Sequence, residues 1–221
     1  MMKRSQMKKE IPVTTLFLDI GGVLLSNGWE HRSRALAAKK FGLDLEDLNA
    51  RHLMVDSTYE SGKITLEEYL SQVVFYRKRT FTRNQFREFM FAQSSAFPEM
   101  IALIRRLKTE YGLKTAAVNN EGRELNSFRI EKFKLDSVVD FFISSCFVHV
   151  RKPDADIFRL ALDVSQTPAG QVVYIENTPM FVKIAEGLGI RSILHTDYGS
   201  TSAKLASLGL NEEEGVIPEN T

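Results

Sequence analysis

Three apolar runs in this 221-residue chain end abruptly in polar side chains. TTLFLDIGG runs into Asp19 and the glycine pair Gly21 and Gly22, LKTAAVNN into Asn119 and Asn120, and VVYIEN into Glu176 and Asn177. A short apolar run bounded by turn residues reads as a strand buried on both faces. An ionisable group at the end of such a strand is costly unless it has a partner. In an open parallel sheet, ligands bind beyond the carboxyl ends of the strands, so these three groups fall on one edge and converge on one crevice. Asp19 and Glu176 facing each other there would repel unless a cation sat between them. Hard oxygen ligands with open positions suit Mg²⁺. Further positive charge comes from Lys152 in VRKPDADIF, and an ammonium beside carboxylates and a metal is suited to neutralising a phosphoryl group in transfer.

The elements that must position these groups follow from the patterning. A first strand covers residues 14–20. From residue 27 to about 96 the pattern is helical, over 30–41, 44–56, 65–74 and 82–93, which predicts a small bundle inserted after the first strand. The clearest of these opens on Thr65 with Glu68 three residues on, a capping box, and carries Leu66, Tyr69, Leu70, Val73 and Val74 on one face. Pro98 then starts an amphipathic helix with Met100, Ile104, Leu107 and Tyr111 inward and Gly112 closing it. Beyond it strands and helices alternate. LKTAAV precedes a helix near 121–133, and VVDFFIS ends at Ser144 and Ser145. A helix capped by Asp154 carries Ile157, Leu160, Ala161 and Val164, and VVYI precedes one that starts at Pro179 with Val182, Ala185 and Leu188 inward. SIL near residue 193 is a fifth strand. Alternation with right-handed crossovers predicts an α/β fold, a doubly wound parallel sheet, with residues 1–26 and 97–221 forming the core and 27–96 the inserted bundle. The first twelve residues read as a frayed start, and the acidic run at 212–214 as a solvated tail.

Composition narrows the class. Apolar content of 43%, charged content of 26% and a net charge of +1 are those of a soluble globular chain with no electrostatic footprint for nucleic acid or a membrane. The lone Cys146 leaves no internal disulfide and fits a reducing, cytoplasmic setting; it reads as a packed thiol. No apolar stretch reaches the roughly 20 residues of a membrane span, and no signal-like segment follows the basic start. His52, His149 and His195 show no metal-ligand spacing and read as structural. Trp29, His31, Arg32, Arg77, Lys78 and Arg79 are the bundle residues offered as substrate contacts. The chain is expected to be a monomer or weak homodimer.

FLDIGGVLL around Asp19, AAVNNEGRE, VRKPDADIF and VVYIENTP, in this order and spacing, resemble the four motifs of the haloacid dehalogenase-like hydrolases, and the likeness runs over nearly the whole chain. The resemblance implies a Rossmann-like core with a helical cap, and Mg²⁺-dependent hydrolysis of a small phosphorylated metabolite through an aspartyl-phosphate. By position, Asp19 is then the nucleophile and a metal ligand, and the Gly21 carbonyl, Glu176 and Asn177 are further metal ligands. Lys152 holds the phosphate and orients Asp19, while Asn119 donates to the phosphoryl oxygens with help from Asn120.

The chain departs from the pattern at three positions. Gly21 stands where a second aspartate usually serves as acid and base, Asn119 replaces a serine or threonine, and the acidic pair of the last motif is Glu176 with Asn177. Losing the acid costs on the order of 10²–10⁴-fold where the leaving group needs a proton. A branch resembling sugar-phosphate phosphatases also has glycine there. Two rivals stand beside a phosphatase: a catalytically silent protein that binds a phosphorylated ligand, and a metal-independent 2-haloacid dehalogenase.

Overall fold

The computed structural model describes residues 11–211; the run at 212–214 and the first ten residues lie outside the described residues. Among the described residues, five parallel strands form one sheet in the order β3-β2-β1-β4-β5. They are β1 (Thr15–Leu18), β2 (Lys114–Asn119), β3 (Phe141–Ser144), β4 (Val172–Glu176) and β5 (Arg191–Leu194). The first strand lies in the centre, with Leu18 opposite Ala117 on one side and Ile175 on the other. This placement brings the ends of β1, β2 and β4 to one edge, and β2 and β4 flank the strand that leads into Asp19.

Helices cover both faces, as a doubly wound parallel sheet requires. Leu16 and Leu18 pack with Met100, Leu103, Ile104 and Leu107 of α5 (Pro98–Tyr111) and with Leu205 of α10 (Tyr198–Ser207). Phe17, pointing the other way, packs with Ile157, Phe158 and Ala161 of α8 (Asp156–Ser165) and Ala185 of α9 (Pro179–Gly187). Between them in sequence lie α6 (Arg123–Phe133) and the short α7 (Ser145–Val148).

The insert after the first strand is helical. It comprises α1 (His31–Phe41), α2 (Leu45–Glu60), α3 (Leu66–Val73) and α4 (Arg83–Ala92). Thr65–Glu68 and Thr82–Gln85 both close capping boxes, and Asp44 caps α2 through the amide of Asp47. Ala37, Leu48, Tyr69, Leu70, Phe86 and Met90 form a separate apolar cluster, which Leu125 of α6 joins from the core side. The insert thus carries its own apolar cluster beside the two that cover the faces of the sheet.

Several local expectations are corrected. The third strand starts at Phe141, not at Val138; Val138 and Val139 are buried in the preceding turn, where Thr115 Oγ1 donates to the Val138 carbonyl at 2.6 Å. The α8 helix begins at Asp156, and Asp154 accepts from the Asp156 amide at 2.9 Å one step outside it. Val164 is 51% exposed and Tyr111 37% exposed, each at the C-terminal end of its helix where the apolar stripe has rotated off the sheet.

Candidate active site

Asp19 follows β1 directly, and its amide donates to the Ile175 carbonyl at 3.0 Å, so the ladder with β4 continues up to the carboxylate. The side chain is held against Lys152, whose Nζ donates to Asp19 Oδ1 at 2.9 Å, Glu176 Oε2 at 2.7 Å and the Tyr174 hydroxyl at 3.1 Å. All three ammonium donors are thus used. The Tyr174 hydroxyl donates to Glu176 Oε2, and the Thr178 amide donates to Glu176 Oε1 at 2.9 Å. Lys152 is 1% exposed and Glu176 fully buried, while Asp19 opens on the crevice at 7%.

Electrostatics follow from this packing. Burial pushes the Asp19 carboxyl up to about 6; Lys152 pulls it back, and Glu176 pushes it further up. Burial alone would lower the Lys152 ammonium, yet the Asp19 and Glu176 carboxylates override that and hold it above its ordinary value. Two carboxylates against one ammonium leave the floor with one net negative charge.

Asn120 fixes the Lys152 backbone from the next strand over. Its Nδ2 donates to the Lys152 carbonyl at 2.8 Å, and its Oδ1 accepts from the Lys152 amide at 2.9 Å. Gly22, at φ +79°, approaches Asn177 so closely that a Cβ would lie 1.9 Å from its Nδ2, which explains the glycine on both conformational and steric grounds.

Two of the predicted site residues are placed away from the crevice lining. Asn119 does not line the crevice. It donates to Asn126 Oδ1 at 3.1 Å and accepts from Ser144 Oγ at 2.7 Å in a buried polar triad, because successive side chains on a strand point to opposite sides and Asn120 takes the crevice side. Glu176 does not line the crevice either; its Oε2 accepts from Lys152 and Tyr174 and its Oε1 from the Thr178 amide.

A crevice of about 340 Å³ lies over Asp19, Gly21, Asn120, Lys152 and Asn177. Its opposite wall is the face of α2 that carries His52, Asp56, Tyr59 and Glu60. Arg151 pairs with Glu60 at 2.9 Å, and a buried Arg129–Glu121 pair lies beside it, with Arg129 also donating to the Ser26 carbonyl where the chain leaves the core for the insert. Of the insert residues offered as contacts, Trp29 lines the crevice, whereas His31, Arg32, Arg77, Lys78 and Arg79 do not. The wall residues carry one legible signal: His52, Asp56 and Glu60 recur at a four-residue interval, which places them on one helical face. His149 bonds the Ser61 carbonyl and His195 bonds Thr201, both away from this site. Cys146 is buried, and burial pushes its thiol up to about 12.

The donor set can be tested against Mg²⁺. The Asp19 oxygen not held by Lys152, the Gly21 carbonyl and the Asn177 amide oxygen give one carboxylate and two neutral oxygens. Among the described residues no cluster of three or more His, Cys, Asp or Glu suited to a metal is present. Mg²⁺ keeps several waters and commonly binds through one or two carboxylates together with substrate phosphate. The residues therefore fit Mg²⁺ in company with a phosphate, and the net negative floor matches a cation.

The chain matches the haloacid dehalogenase-like hydrolase family over residues 13–189 and belongs to that family. Its fold is similar to that of a HAD family enzyme from Bacteroides thetaiotaomicron solved in complex with magnesium and inorganic phosphate, with a TM-score of 0.70 and 17% identity over 83% of this chain and 94% of that one. It is also similar to the L-2-haloacid dehalogenase RSc1362, with a TM-score of 0.61 and 18% identity over 82% of this chain and 86% of that one. In sequence it is 30% identical over 91 residues to a putative pyrophosphatase PpaX of Caldanaerobacter subterraneus subsp. tengcongensis, over 41% of each chain. The match spans less than half the length of the curated relatives it reaches. No helix among the described residues is long and apolar enough to cross a membrane.

Proposed function

We propose that this hydrolase is a Mg²⁺-dependent phosphatase acting on a small phosphate monoester, with α1–α4 (residues 27–96) as a cap over the crevice. The observation that carries the reading is the disposition of Asp19: one oxygen is held by Lys152, and the carboxylate stands at the mouth of a polar crevice beside Gly21 and Asn177. The free oxygen attacks phosphorus, the ester P–O bond breaks, and the phosphoryl group passes to Asp19. Water then attacks the aspartyl-phosphate, releasing inorganic phosphate and restoring the carboxylate. Lys152 keeps Asp19 oriented and lowers the charge that develops on the transferring group. A bound Mg²⁺, held by Asp19, Gly21 and Asn177, supplies Lewis-acid neutralisation of the phosphate dianion. Gly21 provides no proton, so leaving groups that depart as stable anions are favoured. Two relatives point the same way without fixing a substrate: the magnesium–phosphate complex of similar fold and the putative pyrophosphatase.

The test is phosphate release from an aryl phosphate and a panel of sugar phosphates, with Mg²⁺ and with chelator. Release that needs the metal and vanishes in Asp19→Asn is the expected result. One observation favours a second reading: with Glu176 committed to Lys152 and Asn177 neutral, the acidic pair contributes no free carboxylate, as a metal-free dehalogenase would tolerate. Halide release from a 2-haloacid in chelator, with no phosphate release from any ester, would move that reading ahead. If neither product appears but phosphorylated ligands raise the melting temperature, a silent binding protein is the better description.

A further inference from the structure

Gly21 carries no side chain, yet the space where one would stand is bordered by a polar group from the insert. A Cβ placed on residue 21 would meet Asn27 Oδ1 at 3.4 Å and Asn27 Cα at 3.7 Å, and nothing else among the described residues outside its chain neighbours within 4 Å. The same oxygen lies 3.0 Å from a Cβ placed on Gly22. The partner of this amide sets its orientation. Asn27 Nδ2 donates to Glu30 Oε2 at 3.1 Å. A carboxylate only accepts, so the amide nitrogen faces Glu30 and the oxygen is left on the side of Gly21. Oδ1 accepts no hydrogen bond from the described residues. The backbone just ahead of it is pinned. The Ser26 amide donates to the Ser95 carbonyl at 2.8 Å, Ser26 Oγ accepts from the Ser95 amide at 3.0 Å, and Arg129 holds the Ser26 carbonyl. Asn27 and Glu30 line the crevice over Asp19, and with Asn177 they also line an adjoining cavity of about 560 Å³. Asn27 is exposed, so water reaches its side chain.

We propose that Asn27, held by Glu30, orients the water that hydrolyses the aspartyl-phosphate, standing in for the carboxylate that Gly21 lacks. The inference rests on the phosphatase reading of Asp19. Oδ1 accepts a hydrogen bond from the water and turns a lone pair of the water oxygen toward phosphorus. The new P–O bond forms as the bond between phosphorus and the Asp19 oxygen breaks, and that electron pair returns to the carboxylate. Both water protons leave with the product as dihydrogen phosphate, so Asn27 gains none. A side-chain amide that orients an attacking water is an established device in phosphoryl transfer. It suits this step and not the first. Attack by water expels a carboxylate, which departs without a proton, whereas expulsion of an alkoxide in the first step needs an acid that an amide cannot be. Glu30 acts only through Asn27, by keeping the amide from turning over.

The experiment follows an aryl phosphate in Mg²⁺ with the wild type, Asn27→Ala, Glu30→Ala and Glu30→Gln. Arylate and phosphate release are timed separately, and acid quenching counts the enzyme that carries phosphate. In Asn27→Ala kcat should fall about tenfold, the weight of one hydrogen bond in the transition state. kcat/KM should stay within about twofold of the wild type, because it covers only the steps up to the aspartyl-phosphate, and KM then falls with kcat. Arylate should appear as a burst, and phosphoenzyme should accumulate. Glu30→Ala should give the same split with a loss of about threefold, and Glu30→Gln, which keeps an acceptor for Nδ2, should recover most of that loss. If kcat in Asn27→Ala is unchanged, or falls together with kcat/KM, the inference is overturned while wild-type turnover keeps the phosphatase. If the wild type itself releases no phosphate, the phosphatase reading fails and this inference falls with it.

Discussion

The floor of the crevice and its roof are built on opposite plans. On the floor, every ammonium donor of Lys152 and both oxygens of Glu176 have partners inside the protein, and Asp19, held by Lys152 through one oxygen, opens on the crevice. On the roof, α2 carries Asp56 along the crevice, a Tyr59 hydroxyl without a hydrogen-bond partner and a quarter-exposed Glu60. A buried polar network that is fully satisfied holds its members in one geometry, whereas an open one waits for a partner. On the phosphatase reading proposed above, the closed floor holds the group that does chemistry, which must be fixed before the substrate arrives.

The contrast breaks most directly at Lys152. Lys152→Met leaves Asp19 and Glu176 buried beside each other without a counter-charge, and such a loss costs about 3–5 kcal/mol. Phosphate release should fall on the order of 10³-fold as the oriented cation is removed. Urea denaturation and steady-state assays read the two effects. The double variant Lys152→Met/Glu176→Gln should regain part of the stability but none of the activity. If Lys152→Met melts like the wild type, the floor is not a closed network and the comparison fails.

The seam between floor and roof is the next most sensitive place. Arg129 is buried, pairs with Glu121 and holds the Ser26 carbonyl at the exit to the insert. Arg129→Met strands Glu121, whose carboxyl burial already pushes up against the pull of Arg129, and should cost about 3 kcal/mol. The loss should also loosen α1–α4 relative to the core, read as faster amide exchange at Ser26, Asn27 and Gly28 than in β1.

On the roof the effects are smaller and depend on pH. Burial pushes the Glu60 carboxyl up to about 7, against Arg151, with Glu121 and Asp56 adding to the rise and Lys152 opposing it. A folded-state value above the unfolded one means that the folded protein binds the extra proton. The contribution is present below about 4.5 and is lost as pH rises toward about 7. Glu60→Gln cannot ionise, so its melting temperature should gain on the wild type across that window after the constant loss of the Arg151 pair. A pH-independent difference would show that Glu60 is solvated, and the roof less enclosed than its geometry indicates.

How much of this was legible beforehand depends on which physical signal reached the sequence. The sheet and the place of Asp19 follow from apolar runs that stop at polar residues, because strand ends in a parallel sheet share an edge, and the inserted bundle follows from helical periodicity and capping. The directions of Asn119 and Glu176 did not follow. Strands buried on both faces have no polar alternation to reveal which way each residue points, so one residue of parity moved Asn119 into a triad with Asn126 and Ser144. The α2 face was missed for a different reason. A stripe such as His52, Asp56 and Glu60 reads the same whether it faces water or a crevice, and the cationic residues favoured instead lie elsewhere: the Arg77 and Arg79 guanidiniums, for example, gather about the Tyr76 ring.

The smallest expected effect sharpens the comparison most, because it asks whether the open roof is nevertheless firmly backed. Behind the wall, Trp29 Nε1 donates to the Tyr69 hydroxyl at 2.8 Å, and His52 Nδ1 lies 2.8 Å from the same oxygen. Trp29 can only donate, so the arrangement that serves all three groups has Tyr69 giving its one proton to an unprotonated His52 Nδ1. That hydrogen bond favours the neutral imidazole, in line with the burial that holds His52 down to about 4. Tyr69→Phe removes the donor, so the His52 titration followed by NMR should move upward, part of the way to its ordinary 6.5. The depressed folded value means that His52 contributes stability above about pH 6.5 and loses it as pH falls toward about 4. Tyr69→Phe should narrow that window while costing about 1 kcal/mol at neutral pH. An unmoved titration would mean that His52 is kept neutral by burial and neighbouring charge alone, and that the wall owes its form to packing rather than to this relay.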